Sequence, residues 1–209
     1  MEVKLLNSTP IDICAIGISK CHDKNINEYT HEDKLDLIDR VGNKLRHESV
    51  LEHLVISLDI VGISRALLQE LVRTRIASYT VKSSRYTLKE LSKEDVFNID
   101  DNRWKKYLYV SDDIRINNIN INTLNILKEL LDNNVSNDIA KYVMPEAYLT
   151  SLTMTINIRS LRNLLALRTG KGALLEYKKL CIKIYNVLPE DYKSLVIDVM
   201  NKEVFSLPE

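Results

Sequence analysis

Hydrophobic and polar positions follow a period of two in a few short segments and a helical period in most of the chain. Residues 54–62 (LVISLDIVG) place Ile56, Leu58 and Ile60 on one face, which is typical of a half-buried strand. Residues 2–6 (EVKLL) and 152–156 (LTMTI) predict two further short strands. The helical spacing predicts helices after Pro10 and over residues 34–47, 64–75, 121–133, 136–144, 159–169, 172–187 and 189–202.

This order of elements indicates the fold class. Few strands lie among many helices, which favours an α+β fold, a small sheet packed with helices, over a regular doubly wound sheet. We expect a single domain over residues 1–209, because this length allows one sizeable core. Ser64 is a candidate cap for the helix at 64–75, whose C-terminal end then carries Arg73 and Arg75. Residues 92–118 are polar and irregular, and we interpret them as a surface excursion.

Composition and charge exclude several classes of protein. The chain is 45% hydrophobic and 28% charged, and 29 basic residues balance 29 acidic ones, so no overall field attracts a nucleic-acid backbone. Three cysteines fit no disulfide framework and indicate a reducing compartment. The N-terminal residues are too polar for a signal peptide, and no run approaches the roughly 18 apolar residues of a membrane span. We therefore expect a cytoplasmic protein without a membrane partner.

One short stretch concentrates groups that bind anions. Residues 73–87 (RTRIASYTVKSSRYT) carry Arg73, Arg75, Ser83 and Arg85 without any acidic residue. Guanidinium groups bind phosphate through paired N–H donors, and interleaved hydroxyl groups complete such a shell. The stretch therefore suits a nucleotide phosphate or a dinucleotide cofactor. A solvated basic turn after a helix explains the same pattern equally well.

Two further motifs carry polar side chains of possible function. In residues 47–53 (HESVLEH), His47 and His53 are six apart, so one helical face does not present both, and we expect no metal. In residues 157–168 (NIRSLRNLLALR), Arg159 and Asn163 share a helical face, whereas Arg168 lies about 140° around the helix from Asn163. Arg168 then serves a different surface or another subunit's site, or the helix breaks.

Glycine-based nucleotide motifs are missing from the sequence. GKG at residues 170–172 lacks the other residues of a P-loop, and no GxGxxG occurs. A bound dinucleotide is therefore not held in a Rossmann crevice.

Together the three stretches resemble the motifs of the flavin-dependent thymidylate synthase family. RTRIASYTVKSSRY is similar to its pattern R-H-R, seven residues, Ser, continuing S-x-R-Y. HESVLEH resembles its H-x-[ST]-x-x-E-H segment, and NIRSLRNLLALR resembles its N-A-R-S-L-x-N-x-L-x-L-R segment. Order and spacing agree as well, and the resemblance runs over about residues 1 to 200, which makes it specific.

The resemblance implies the fold of that family and a reaction. The family transfers a methylene group from methylenetetrahydrofolate to C5 of dUMP and reduces it to methyl, which yields dTMP. A tightly bound FAD, recharged by NADPH, supplies the hydride. The family forms a homotetramer in which several chains assemble each active site, with no nucleic acid as a partner. That assembly explains how Arg168 serves a site away from Arg159 and Asn163.

The resemblance also assigns roles to residues by position. Arg168 is the implied catalytic residue, which contacts the uracil and favours its ionisation at N3. The implied dUMP-binding residues are Glu70, Arg73, Ser83, Ser84, Arg85, Lys141 from another chain, and Arg168. The implied FAD-binding residues are Ser49, Arg73, Thr74, Arg75, Asn157, Arg159 and Asn163. His47 is implied to lie close to the flavin and the folate.

Two unusual departures from the family pattern stand at or beside implied site positions. Thr74 replaces the central histidine of R-H-R, which keeps a hydrogen-bonding group and loses the aromatic ring and its N–H donor. Ile158 replaces the alanine of N-A-R-S and adds bulk between two site residues.

The altered motif leaves three alternatives open beside thymidylate synthesis. The first is an enzyme of the same fold that makes another C5-modified pyrimidine nucleotide, such as hydroxymethyl-dUMP, when water rather than hydride meets the methylene intermediate. The second is a catalytically inactive paralogue that keeps the tetramer. The third is a nucleic-acid-binding module that uses residues 73–89, which the zero net charge disfavours.

Overall fold

The computed structural model describes residues 1–21, 23 and 25–207. Four strands form one sheet in the order β1-β2-β4-β3. The strands are β1 (Glu2–Ser8), β2 (Val55–Ser64), β3 (Ala77–Val81) and β4 (Leu149–Asn157). The α-helices are α1 (Ile11–Lys20), α2 (His31–Ile38), α3 (Arg65–Leu71), α4 (Ser84–Thr87), α5 (Ile114–Asp132), α6 (Asn137–Ala140), α7 (Ile158–Arg168), α8 (Leu175–Val187) and α9 (Glu190–Val196).

Short turns of other helix types connect these elements. A π-helical segment, Asp39–Lys44, continues α2. The 3₁₀ segments are Glu48–His53, Leu88–Lys93, Asn102–Lys106, Lys141–Val143, Ile197–Val199 and Lys202–Ser206. None of the helices within residues 1–21, 23 and 25–207 has the length and apolar character needed to cross a membrane.

The chain folds into two compact units. Unit 1 comprises Met1–Ile60, Val72–Tyr79 and the chain from Thr153 onward, and unit 2 comprises Val61–Leu71 and Thr80–Leu152. The expectation of a single domain stays a prediction.

The core of unit 1 confirms the period-two pattern of β2. Ile56, Leu58 and Ile60 are all fully buried. The same unit contains α7, which runs without a break from Ile158 to Arg168, so a break in the helix is excluded among the three alternatives for Arg168. Buried leucines of α7 fix its rotation, because they occupy one stripe of the helix that faces the core; they are Leu161, Leu164 and Leu165.

The core of unit 2 corrects the interpretation of residues 92–118. This segment contains buried aromatic residues, among them Phe97, Trp104 and Tyr107. They pack with Leu124 and Leu127 of α5, a helix that begins at Ile114 rather than near residue 121. Widely spaced aromatic residues bury much apolar area without a regular period, and a periodicity argument therefore misses them.

The stretch at 64–81 also differs from its prediction. The Ser64 hydroxyl accepts a hydrogen bond from the Leu67 amide at 3.0 Å, which confirms the predicted cap. However, α3 ends at Leu71 rather than at residue 75, and β3 follows from Ala77, which the pattern did not predict. Arg73 and Arg75 therefore lie in a connecting loop and not on a helix terminus.

Close packing at Gly42 predicts the effect of adding one methyl group. A Cβ built on this buried glycine would lie 2.7 Å from Cδ2 and 3.0 Å from Cγ of Leu51, which is itself fully buried. We expect Gly42→Ala to lower the free energy of unfolding by about 1–3 kcal/mol, as overpacked sites do. A Cβ on Gly172 meets nothing within 4 Å, so Gly172→Ala is the matched control. Equal urea midpoints for both variants would contradict the prediction.

Candidate functional site

An open cleft of about 430 Å³ in unit 1 is formed by two segments of the chain. One segment is the loop between α3 and β3, and the other is one face of α7. The lining residues are Arg73, Thr74, Arg75, Ile76, Ser160, Asn163, Leu164, Leu167 and Arg168. The α7 residues recur three or four positions apart, which is the spacing of one helical face. The volume of the cleft lies within the range of small-molecule sites, about 300–1,000 Å³.

The loop side of the cleft contains an unusual backbone conformation. Ile76 has a φ of 60°, in the left-handed region, and its side chain is 72% exposed. This conformation is unfavourable for a β-branched residue by about 1–2 kcal/mol. Such local strain occurs preferentially at functional sites. No feature of the sequence indicates this strain, because backbone dihedral angles do not follow from residue type alone.

The charge of the cleft is positive. Arg73 and Arg75 are exposed, and neither forms an ion pair with another residue in the described part of the chain. The guanidinium carbon of Arg168 lies 4.8 Å from the centroid of the Tyr177 ring, at cation–π distance. Three arginines at one cleft without an acidic lining residue favour an anionic ligand.

Buried hydroxyl and thiol groups lie behind the lining. The Tyr79 hydroxyl donates to the main-chain oxygen of Thr74 at 3.0 Å, and burial raises the pKa of Tyr79. Burial also raises the pKa of Tyr177 and that of Cys181, each to about 12. These groups are neutral at physiological pH, so the structure offers hydrogen-bond donors here and no thiolate nucleophile.

Three predicted FAD residues and His47, which was predicted to lie near the flavin and the folate, do not line this cleft. The Asn157 side-chain oxygen caps α7 by accepting from the Ser160 amide at 2.8 Å. Arg159 pairs with Glu52 at 2.6 Å and lies 3.8 Å from Glu48. His47 and Ser49 are exposed at the start of the 3₁₀ segment that contains those two glutamates.

The rotation of α7 explains why Arg168 lines the cleft and Arg159 does not. Arg159 and Arg168 are nine residues apart, which corresponds to about half a turn around the helix axis. Arg168 faces the cleft with Asn163, although the two lie about 140° apart on the helix, because the cleft is wide enough to be bordered by both. Arg168 therefore serves a different surface from Arg159 but not from Asn163.

Five of the seven predicted dUMP-binding residues lie in unit 2, whereas Arg73 and Arg168 lie in unit 1. Arg85 of α4 donates two hydrogen bonds to Asp138 of α6, at 2.8 and 3.1 Å. The Asn137 amide donates to the main-chain oxygen of Arg85 at 2.6 Å, which fixes α4 against α6. Lys141 follows α6 directly, and Ser83 and Ser84 begin α4. Glu70, on α3, belongs to the same unit. Ser83, Ser84 and Arg85 thus lie at α4, and Lys141 follows α6, the helix that α4 contacts through Arg85.

A small cleft beside α4 contains two basic residues that the motifs did not assign. Arg65 and Lys82 line it together with Ser84 and Thr87. Lys82 lies 3.9 Å from Glu90, and Arg65 has no ion-pair partner in the described part of the chain. Lys82 stands inside the basic stretch, whereas Arg65 had no sequence signal apart from its position at the start of a helix.

The described residues contain no cluster of metal ligands, and a second cavity lies away from the predicted site residues. Among the described residues, no group of three or more His, Cys, Asp or Glu side chains is arranged to hold a metal ion. A cavity of about 740 Å³ in unit 1 contains none of the predicted site residues and is lined by Glu28, Tyr29, Asp33, Asp36, Leu37, Arg40 and Lys44. Its mixed charges indicate no particular ligand.

The two sites favour one class of protein. A cleft with three arginines and neutral donors suits a ligand with phosphates and a polar ring, and the α4–α6 cluster suits a second phosphate. The residues thus fit FAD, since Arg73 and Arg75 remain available for its phosphates and Thr74 and Asn163 for polar ring atoms. The fold and the site together define an α+β enzyme that binds nucleotides.

Comparisons with known proteins give the family. The model of the thymidylate synthase complementing protein family matches residues 4–191. The flavin-dependent thymidylate synthase of Wolinella succinogenes is 47% identical over 197 residues, covering 93% of this chain and 97% of that protein. That of Campylobacter jejuni strain RM1221 is 41% identical over 206 residues, covering 98% and 100%. The crystal structure of thymidylate synthase X (ThyX) from Helicobacter pylori with FAD and dUMP has a TM-score of 0.90 and 41% identity, and the match covers 96% of this chain and all of that one.

This chain belongs to the flavin-dependent thymidylate synthase family. The expected fold, a small sheet packed with helices, is confirmed by the structural match. The comparisons do not test the roles of individual site residues, which stay predictions.

Proposed function

We propose that this chain is an FAD-dependent methyltransferase that converts dUMP to dTMP, with methylenetetrahydrofolate as the carbon donor and NADPH as the source of reducing equivalents. One observation carries the proposal: the cleft in unit 1 brings together Arg73, Thr74, Arg75, Asn163 and Arg168, which two separate family motifs contribute. Residues 73–75 and 163–168 are distant in sequence, so their meeting at one cleft is a property of the fold.

The cleft is the proposed site for FAD. Arg73 and Arg75 would bind its phosphates, because their guanidinium groups are exposed and form no ion pair with described residues. Thr74 and Asn163 would hydrogen-bond to polar atoms of its ring. Bound FAD supplies hydride chemistry that no side chain of this protein provides. Asn157, Arg159, Ser49 and His47 lie outside the lining, so any contact with the cofactor or the folate would extend beyond the cleft.

The α4–α6 cluster is the proposed site for dUMP. Ser83, Ser84 and Arg85 would bind its phosphate, with Lys141 of another chain, and Glu70 would lie near the sugar. Arg85 would exchange Asp138 for phosphate at little cost, because both side chains of that pair are about half exposed. The guanidinium group of Arg168 would stabilise negative charge on the uracil, which makes C5 nucleophilic without an enzyme nucleophile. Each active site would be assembled from several chains of a homotetramer, so that Arg85 and Arg168 of one chain could serve different sites.

Product mass tests this function directly. Purified protein is reconstituted with FAD and incubated with dUMP, methylenetetrahydrofolate and NADPH, and the nucleotide product is analysed by mass spectrometry. A thymidylate mass is the expected result. A hydroxymethyl-dUMP mass would instead establish the altered-product enzyme, and FAD binding without turnover would establish the inactive paralogue. A cytoplasmic location, which the sequence predicts, is consistent with these soluble substrates.

A further inference from the structure

Arg168 is the last residue of α7, and the residue that follows it fixes the end of the helix. The hydroxyl of buried Thr169 donates to the main-chain oxygen of Leu165 at 2.7 Å and accepts from the Asn201 amide at 2.9 Å. The Arg168 side chain has several rotatable bonds, so a fixed backbone alone leaves its guanidinium group many positions. The C-terminal end of a helix favours a cation but does not select one direction for it.

The aromatic ring of Tyr177 limits those positions. Its centroid lies 4.8 Å from the guanidinium carbon of Arg168, which lies over the ring at cation–π distance. Tyr177 is fully buried, and Leu180, Cys181 and Ile184 are buried one or two turns further along α8. A close-packed ring does not change its position without disturbing the core. The ring is therefore a fixed surface against which the guanidinium group packs, beside the cleft that Arg168 lines.

The ring, rather than the hydroxyl group, is the part of Tyr177 that acts on Arg168. The hydroxyl is buried and has no hydrogen-bond partner in the described part of the chain. Burial raises the pKa of Tyr177 to about 12, so the side chain is neutral at physiological pH and the contact is not an ion pair. Phenylalanine has the same ring and should therefore hold Arg168 equally well.

We propose that Tyr177 is a positioning residue for Arg168, whose buried ring holds the guanidinium group in place before negative charge develops on the uracil. Arg168 contacts the substrate, and Tyr177 acts only through Arg168. A cation that is already in place needs no reorientation in the chemical step. Tyr177 lies outside the three motifs of the sequence. The inference rests on the proposed function, because it takes dUMP as the substrate that Arg168 contacts.

Two replacements of Tyr177 separate the effect of the ring from that of the hydroxyl group. Tyr177→Phe keeps the ring, and we expect kcat for dTMP formation within about twofold of normal. Tyr177→Leu removes the ring, and we expect kcat to fall about tenfold, which corresponds to about 1.4 kcal/mol. The KM for dUMP should change less than kcat. In the Arg168→Ala background, Tyr177→Leu should not lower kcat further, because it acts through Arg168.

A spectroscopic measurement on the cofactor-free protein tests the contact independently of activity. The ring current shifts a proton held over an aromatic face upfield, and the Nε–H signal of Arg168 is identified by its absence from Arg168→Lys. We expect an upfield-shifted signal in the unaltered protein and in Tyr177→Phe, and no such shift in Tyr177→Leu.

An aromatic residue on the same helix provides a matched control. Tyr185 also belongs to α8 and has the Nζ atom of Lys193 5.9 Å from its ring centroid, but it does not line the cleft. Tyr185→Leu therefore removes a ring and a cation–π contact elsewhere in unit 1. It should leave both kcat and the Arg168 signal unchanged.

Three results would overturn the inference. They are an Arg168 signal without the ring-current shift in the unaltered protein, a normal kcat in folded Tyr177→Leu, and an equal fall in kcat when Tyr177→Leu is added to Arg168→Ala. The first result requires no variant of Tyr177, so it decides the matter even if Tyr177→Leu does not fold. A shifted signal in a protein that makes no dTMP would instead overturn the proposed function, and with it the catalytic part of this inference.

Discussion

Arg168→Ala is expected to lower kcat for dTMP formation by about 10²–10³-fold, the usual cost of removing one group that stabilises charge in a transition state. Arg168 borders the cleft and is held against the buried ring of Tyr177, so its charge is fixed in direction before substrate binds. A preorganised cation needs no rearrangement when negative charge develops on the uracil. Its removal therefore affects the chemical step more than binding.

Steady-state kinetics with dUMP as the variable substrate measures this effect. Arg168→Lys keeps the charge and loses the planar fork, and we expect kcat between that of Arg168→Ala and that of the unaltered enzyme. Lys183→Ala, an exposed residue of α8 outside both sites, is the control and should leave kcat unchanged. A kcat of Arg168→Ala within about threefold of normal would contradict the assigned role.

Arg85→Ala is expected to raise the KM for dUMP by about 100-fold, which corresponds to about 2.7 kcal/mol of lost binding energy. The guanidinium group of Arg85 already forms a paired contact with the Asp138 carboxylate, which shows that its geometry suits a bidentate anion. We expect a smaller change in kcat, because a phosphate contact remote from C5 acts before the chemical step as well as during it. FAD affinity should not change.

Binding and kinetic measurements distinguish this effect from a loss of fold. Lys89→Ala removes an exposed cation in the following 3₁₀ segment and serves as the charge-matched control. It should leave the KM for dUMP unchanged. Equal KM values for Arg85→Ala and Lys89→Ala would show that Arg85 does not bind the nucleotide.

The two arginine variants together test the proposed assembly of shared sites. Each site of the homotetramer would take Arg85 from one chain and Arg168 from another. Refolding equal amounts of Arg85→Ala and Arg168→Ala together should then restore about a quarter of normal activity, because random mixing leaves both arginines intact in about one site in four. Activity no higher than the mean of the separate variants would show that one chain supplies both residues.

The sequence predicted those elements whose burial follows a simple period. Alternation located β2, and the helical leucine stripe located α7 to within a residue at each end. The pattern did not predict β3, because residues 77–81 lie inside a basic stretch that resembles a loop. The interpretation of residues 92–118 as a surface excursion was wrong, because Phe97 and Trp104 lie in the core of unit 2 although their segments show no hydrophobic period. Local patterns report local burial, and these segments are buried only by distant partners.

The sequence by itself determined the family and the chemical groups available, because three ordered motifs specify residue types and spacing. Only the tertiary structure decided which of those groups meet. Thr74 and Arg168 line the same cleft although they are far apart in sequence. Arg159 belongs to the same motif as Arg168 but forms an ion pair with Glu52 outside the cleft. Tyr177, which belongs to no motif, lies behind that cleft. The physical reason is that the core fixes the rotation of α7, and side-chain direction around a helix depends on that rotation rather than on the motif.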